Sequence, residues 1–245
     1  MFKNIVFDLY GTLVDIHTDE EKDSVWETMS WFYRLHQVDV SPSKLKEKYR
    51  RLICEMENEL KKEMGKESWP EIDLVAVFQK IFEERDIFCD QNLAQQTTCL
   101  FRAASLEKLC LYDGIEDLLK DLKKADKKLY LLTNAQKVFT EKELEYLKIK
   151  DLFDGIVYSS EEKVRKPDQR FFDGLIERYQ LKKNETVMIG NDTICDVKGA
   201  LNASLSAIYL KSNIKGNGKC PKGVKRFNVT ELGLLKKELV QKDEI

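Results

Sequence analysis

The stretch Ile5-Val6-Phe7-Asp8-Leu9-Tyr10-Gly11-Thr12-Leu13 decides the fold. Three apolar, strand-favouring residues end abruptly in a carboxylate, and a Gly-Thr pair then turns the chain. A buried strand that stops at Asp8 puts the carboxylate at the strand's end. In open parallel sheets that edge is where ligands bind. Asp at such a place also commonly starts a turn, and partners further along the chain decide between the two readings.

The same texture returns after residue 110. Lys128-Leu129-Tyr130-Leu131-Leu132 reads as a strand ending in Thr133-Asn134, and Ile156-Val157-Tyr158 as one ending in Ser159-Ser160. Thr186-Val187-Met188-Ile189 runs into Gly190-Asn191-Asp192, and Ser206 to Leu210 makes a fifth strand. Helical spacing separates them, at Leu118, Leu119 and Leu122, around 140 to 148, at Phe171, Phe172, Leu175, Ile176 and Tyr179, and from Asp196 to Ala203. Alternating strand and helix means a parallel sheet with right-handed crossovers.

One strand therefore precedes a gap of about ninety residues, too long for a loop. That gap reads as helix after helix. Its apolar stripes are Val25 to His36, Leu45 to Leu60, Ile72 to Phe82, and Leu93 to Leu106. Ser41-Pro42-Ser43 and Ser68-Trp69-Pro70 read as helix starts. The Met and aromatic residues in the stripes read as core packing, His36 as half-buried packing and His17 as a solvated linker residue. The expected fold class is α/β: a Rossmann-like parallel sheet core with helices on both faces, spanning 1–14 and 110–245, plus an inserted four-helix-bundle cap domain at 15–109. Lys211 to Arg226, with six basic residues, reads as a mobile surface loop, and the charged end from Lys236 as frayed.

Composition narrows the function. Forty-one basic against forty-three acidic residues give a net charge of −2, so no global field draws the chain to nucleic acid or to a membrane surface. No run of about eighteen apolar residues spans a bilayer, and Asp8 interrupts the only early apolar run, which argues against a signal peptide. Six cysteines (54, 89, 99, 110, 195 and 220) without a C-x-x-C pair point to reduced thiols in the cytoplasm rather than to a zinc site or disulfides. Two histidines leave oxygen ligands for any metal. The remaining partner is a small anionic molecule.

Each polar strand end has an ordinary explanation: a turn at Thr133-Asn134, a surface lysine at Lys166, a helix cap at Asp192 with a first-turn acid at Asp196. Their matched positions at one sheet edge argue otherwise. A carboxylate such as Asp8 can attack phosphorus or carbon and form an ester that water later cleaves. A Mg²⁺ held by Asp8 and Asp192 would offset the repulsion between that anion and a phosphate. Lys166 would add fixed positive charge, and the Thr133 hydroxyl a hydrogen-bond donor.

These motifs, DLYGTL at 8–13, TN at 133–134, KPD at 166–168 and GNDTICD at 190–196, resemble those of the haloacid dehalogenase superfamily, which also carries a helical cap after its first strand. The resemblance implies Asp8 as nucleophile, with Tyr10, Thr133, Asn134 and Lys166 beside it in the catalytic set. It implies Gly11, Thr12, Thr133, Asn134 and Lys166 around the substrate. It implies Mg²⁺ on Asp8, the Tyr10 backbone carbonyl and Asp192, with Asn191 and Asp196 as outer or alternative ligands.

Two departures pull apart. Superfamily phosphatases carry a second Asp two residues after the nucleophile, where this chain has Tyr10, and a phenol with a reference pKa of about 10 is a poor base near neutrality. Tyr there resembles the 2-haloacid dehalogenases, whose halide leaving group needs no proton and whose cap presents an Arg, for which Arg34, Arg50 and Arg51 are candidates. The fourth motif, usually Gly-Asp, reads Gly190-Asn191-Asp192, and its acids favour a metal. The expected function is a Mg²⁺-dependent phosphatase-like hydrolase of a small phosphorylated metabolite. The alternatives are a metal-independent dehalogenase and a non-catalytic phosphate-binding member of the fold.

Overall fold

The computed structural model describes residues 2–240. In chain order, β1 (Asn4–Phe7) is followed by β2 (Val14–Thr18), α1 (Asp23–Leu35), α2 (Pro42–Met64), α3 (Leu74–Glu83), α4 (Gln91–Ser105) and β3 (Leu106–Leu111). Then come α5 (Ile115–Lys124), β4 (Lys128–Thr133), α6 (Lys137–Tyr146), β5 (Gly155–Tyr158), α7 (Ser159–Glu162) and α8 (Gln169–Tyr179). The chain continues through β6 (Thr186–Gly190), a π-helical turn (Thr193–Lys198), α9 (Gly199–Asn202), β7 (Ser206–Lys211), β8 (Lys225–Asn228) and α10 (Leu232–Val240).

Six strands form one parallel sheet in the order β5-β4-β1-β6-β7-β8. The all-apolar first strand lies at its centre, with Phe7 in register with Leu131 on one side and Ile189 on the other. Both faces are covered, which is why the strand reads as a continuous apolar run rather than an alternating one. Ile5, Phe7, Leu129, Leu131 and Ile189 pack towards Leu118, Leu122 and Leu235 of α5 and α10. Val6, Tyr130, Leu132 and Met188 pack towards Phe171, Phe172 and Leu175 of α8. That split follows the two-residue period of a strand.

The four helices between β2 and β3 build a separate apolar core from Trp26, Met29, Tyr33, Tyr49, Phe78 and Phe101, with aromatic rings about 5 Å apart in a continuous chain. Their Met and aromatic stripes are core packing, and His36 is half-buried with its ring bonded to the Phe32 carbonyl.

Several expectations give way. The sheet has a sixth strand, β8, which begins within the last two residues of the basic stretch read as a loop. The chain passes to and from the helices on an antiparallel ribbon of β2 and β3, so Leu106 ends no helix: it begins β3. Ser68-Trp69-Pro70 starts no helix either. Pro70 pairs with Val164, the Glu71 amide donates to the Lys163 carbonyl at 3.0 Å and the Arg165 amide to the Trp69 carbonyl at 2.9 Å. This strap ties the helices to the loop after α7, and α3 starts later behind its N-cap Asp73. Residues 236–240 are helical because Leu239 packs under the sheet and Lys236 pairs with Asp121. The rest of the charged end, 241–245, lies outside the described residues.

Candidate active site

Asp8 follows the last residue of β1, and its amide still donates to the Ile189 carbonyl. The chain then folds into a tight turn in which the amides of Thr12, Leu13 and Val14 all reach the Leu9 carbonyl. Gly11 takes a φ of +81° there, and a Cβ on it would sit 2.4 Å from the Asn191 amide nitrogen. Only glycine suits that backbone and that close approach. The turn brings Thr12 back beneath Asp8, where its hydroxyl donates to Asp8 Oδ2 at 2.9 Å.

Lys166 crosses from the far side. It is 1% exposed, and its ammonium donates to Asp8 Oδ1 at 2.7 Å, Asp196 Oδ1 at 2.8 Å and the Leu132 carbonyl at 2.8 Å. Three protons meet three acceptors. Burial alone would lower the lysine's pKa, but Asp196 and Asp8 outweigh it and hold the ammonium charged. Asn134 fixes the lysine's backbone from both sides, accepting from its amide at 2.8 Å and donating to its carbonyl at 3.0 Å. Asn134 is thus a clamp on Lys166. Thr133 is buried beside it, and its hydroxyl has no hydrogen-bond partner. A buried hydroxyl left unpaired is unusual in a folded chain and suits a ligand oxygen.

The fourth motif divides its acids. Asp196 joins the cluster, and a Cβ at Gly190 would lie 2.2 Å from Asp196 Oδ2, so glycine there makes its room. Burial first, then repulsion from Asp8, push the Asp196 carboxyl well above the usual carboxylate range, against the pull of Lys166. Asp192, expected as a metal ligand, is turned the other way. Its Oδ1 caps the π-helical turn, accepting from the amides of Ile194 and Cys195 at 2.8 Å each. Its Oδ2 accepts from the Asn217 amide at 3.0 Å and side chain at 2.9 Å. Burial would raise its pKa, but these donors hold it below the usual range. The stretch read as a mobile loop is therefore pinned to the site at 214–217. Asn191 takes the inner place instead: its Oδ1 lies 3.2 Å from the Thr12 hydroxyl while its Nδ2 donates to the Ile214 carbonyl at 3.1 Å.

Tyr10 does not face Asp8. Its hydroxyl lies 3.0 Å from Thr140 and donates to Glu143 on α6. Burial first, then the Glu143 charge, push the phenol's pKa up, so it stays protonated. Arg102 of α4 grips Glu143 at 2.6 Å and 3.3 Å and lies over the Tyr10 ring. Sequence reading missed Thr140, Glu143 and Arg102, and nothing in their local pattern marks them. The candidate cap arginines of the dehalogenase alternative are surface charges, Arg34 paired with Asp39, Arg50 with Glu21, and Arg51 with Glu55 and Glu84. His17 pairs with Glu107 on the exposed ribbon. Burial pushes the Cys195 thiol up to about 12, which keeps it protonated near neutrality, and all six described cysteines are unpaired.

Among the described residues, no cluster of three or more His, Cys, Asp or Glu side chains is placed to hold a metal ion. The donor set nevertheless suits a hard cation. Two carboxyl groups share one ammonium, and the Asn191 amide oxygen stands beside them. Mg²⁺ is commonly held by one or two carboxylates, with water and substrate oxygens completing its shell.

A parallel α/β sheet with a helical insertion, and a carboxylate–lysine–carboxylate set at its strand ends, define the class of the protein: a parallel α/β fold with a carboxylate-centred site. The chain belongs to the haloacid dehalogenase-like hydrolase family, whose model matches residues 2–204. Over 118 residues it is 29% identical to N-acylneuraminate-9-phosphatase of Mus musculus, 48% of this chain and 47% of that one. Over 96 residues it is 34% identical to glyceraldehyde 3-phosphate phosphatase of Methanothermobacter thermautotrophicus, 39% of this chain and 42% of that one. The chain thus spans about half the length of the curated relatives it matches. Among solved structures, a 2-haloacid dehalogenase from Pseudomonas syringae pv. Tomato DC3000 superposes with a TM-score of 0.65 at 19% identity, covering 97% of this chain and 99% of that one. A HAD phosphatase from Thermococcus onnurineus gives 0.58 at 19%, covering 97% and 98%. At such identities the likeness speaks to the fold. Among the described residues, no helix is long and apolar enough to cross a membrane.

Proposed function

We propose that this chain is a Mg²⁺-dependent phosphatase-like hydrolase of a small phosphorylated metabolite, with Asp8 as its nucleophile and residues 15–109 as a cap over the sheet edge. The observation that carries the reading is the buried Asp8–Lys166–Asp196 cluster beside the unpartnered Thr133 hydroxyl. The named curated relatives are phosphatases, which supports the phosphate reading over halide.

Thr12 and Lys166 hold one Asp8 oxygen each and so orient the carboxylate. Asp8 attacks phosphorus. The new O–P bond forms as the bond to the leaving oxygen breaks, and that oxygen leaves with the electron pair and takes a proton from water. The Lys166 ammonium faces the phosphoryl charge, and the Thr133 hydroxyl donates to a phosphoryl oxygen. Water then cleaves the acyl phosphate, releasing phosphate and restoring Asp8. Asp8, the Tyr10 backbone carbonyl and, from the fourth motif, the Asn191 amide oxygen or Asp196 would hold Mg²⁺, which when bound supplies positive charge to the phosphoryl group. The six unpaired cysteines support a reducing compartment, the cytoplasm.

A second reading, dehalogenation, is favoured by one observation: the Tyr10 phenol is kept neutral and turned away from Asp8, as suits a leaving group that needs no proton. Parallel assays of p-nitrophenyl phosphate and 2-chloropropionate, each with and without Mg²⁺, decide. Metal-dependent phosphate release is the expected result, and halide release without metal overturns the phosphatase reading.

A further inference from the structure

We propose that Arg102 and Glu143 are positioning residues that, through Tyr10, fix the helical insertion against the turn carrying Asp8. Three elements meet at this point. Arg102 belongs to α4, one turn before the chain enters β3 and returns to the sheet. Glu143 belongs to α6, which follows the Thr133-Asn134 strand end. Tyr10 lies in the nucleophile's turn. The Arg102–Glu143 pair is well buried, with side chains 11% and 9% exposed, and it bridges the insertion and the sheet. The guanidinium also lies 5.4 Å from the Tyr10 ring centre and 4.6 Å from that of Phe139.

The physical consequence is a coupling. The turn at 9–14 holds Thr12 beneath Asp8 by backbone bonds to the Leu9 carbonyl. Tyr10, inside that turn, is anchored by its hydroxyl to Glu143, and Glu143 is anchored in turn by Arg102. A shift of α4 therefore pulls on the same turn that sets the Asp8–Thr12 bond. Such coupling is reciprocal: loosening either end must loosen the other. The Arg51–Glu55 pair elsewhere on the insertion is exposed, by contrast.

The test is hydrogen–deuterium exchange on the full chain, comparing wild type with Arg102→Lys, Glu143→Gln and Tyr10→Phe. Arg102→Lys and Glu143→Gln are expected to speed exchange of the Gly11–Val14 amides at least tenfold. Tyr10→Phe, which removes only the hydroxyl bonded to Thr140 and Glu143 of α6 and leaves the ring under Arg102, is expected to speed exchange at the C-terminal end of α4. Faster exchange confined to the mutated element, with the other end as protected as in wild type, overturns the proposal. The kinetic arm rests on Asp8 being the nucleophile. On whichever substrate the wild type turns over, kcat should fall at least tenfold in Glu143→Gln with KM changed less than threefold, and Arg102→Lys should retain more kcat than Arg102→Ala. An unchanged kcat in folded Glu143→Gln also overturns the positioning role. A wild type that turns over neither test substrate sinks the functional reading, while the exchange pattern still decides the coupling.

Discussion

Replacing Lys166 by Met removes the one positive charge between two buried carboxylates and substitutes an apolar chain of similar length. Three acceptors then lose their donor: Asp8 Oδ1, Asp196 Oδ1 and the Leu132 carbonyl, all now within 2.8 Å of the ammonium. Breaking a buried pair by removing one partner typically costs about 3–5 kcal/mol. For a chain of this size that corresponds to a fall in Tm of roughly 6–20 °C, at about 2–4 °C per kcal/mol. The loss has a pH signature. Asp196 already has a raised pKa in the folded chain, and without Lys166 it rises further. A carboxyl that binds its proton more tightly folded than unfolded makes stability fall as pH rises, from the ordinary carboxylate range up to the folded pKa. Lys166→Met should therefore lose most at pH 7.5 and much less at pH 5, where the extra carboxyl is protonated. Urea unfolding followed by circular dichroism at the two pH values measures this. A loss below about 1 kcal/mol at pH 7.5, or one equal at both pH values, refutes the buried-cluster account.

Four further outcomes follow from the same geometry. Asp8→Asn should abolish turnover while the fold survives, and activity comparable to wild type would show that Asp8 is not the nucleophile. Thr133→Val removes a hydroxyl that has no partner; stability should change by less than about 1 kcal/mol, while turnover falls at least tenfold, and an unaffected rate would place the substrate elsewhere. Gly190→Ala should destabilise strongly because its Cβ meets Asp196 at 2.2 Å, which a melting curve checks. Added Mg²⁺ should raise the Tm of wild type and have little effect on Asp8→Asn; equal shifts in both would put the cation at another site.

Much of this molecule was legible in one dimension. An apolar run ended by Asp8 gave the central strand, because burial on both faces leaves no polar alternation. Thr133, Asn134 and Lys166 were legible for a related reason: parallel strands share one direction, so the segments after the strand ends come to one edge; the fourth motif was legible too, but with Asp192 expected in the inner place that Asp196 takes. Strand β8 was hidden because Lys225, Arg226 and Asn228 carry little apolar signal, and an edge strand needs little. The β2–β3 ribbon was hidden because its pairing joins residues about ninety positions apart.

Sequence by itself thus determined five of the sheet's six strands, the inserted helices and the identity of the strand-end residues, since each follows from local periodicity and chain direction. Only the tertiary structure decided where side chains point. Asp192 and Asp196 are both acids of one motif, and the loop at 214–217 claims the first while Lys166 claims the second. Tyr10 stands two residues from the nucleophile, and its hydroxyl belongs to α6 and, through Glu143, to α4. Rotamers and hydrogen-bond partners at such positions are set by groups distant in the chain, and no local pattern records them.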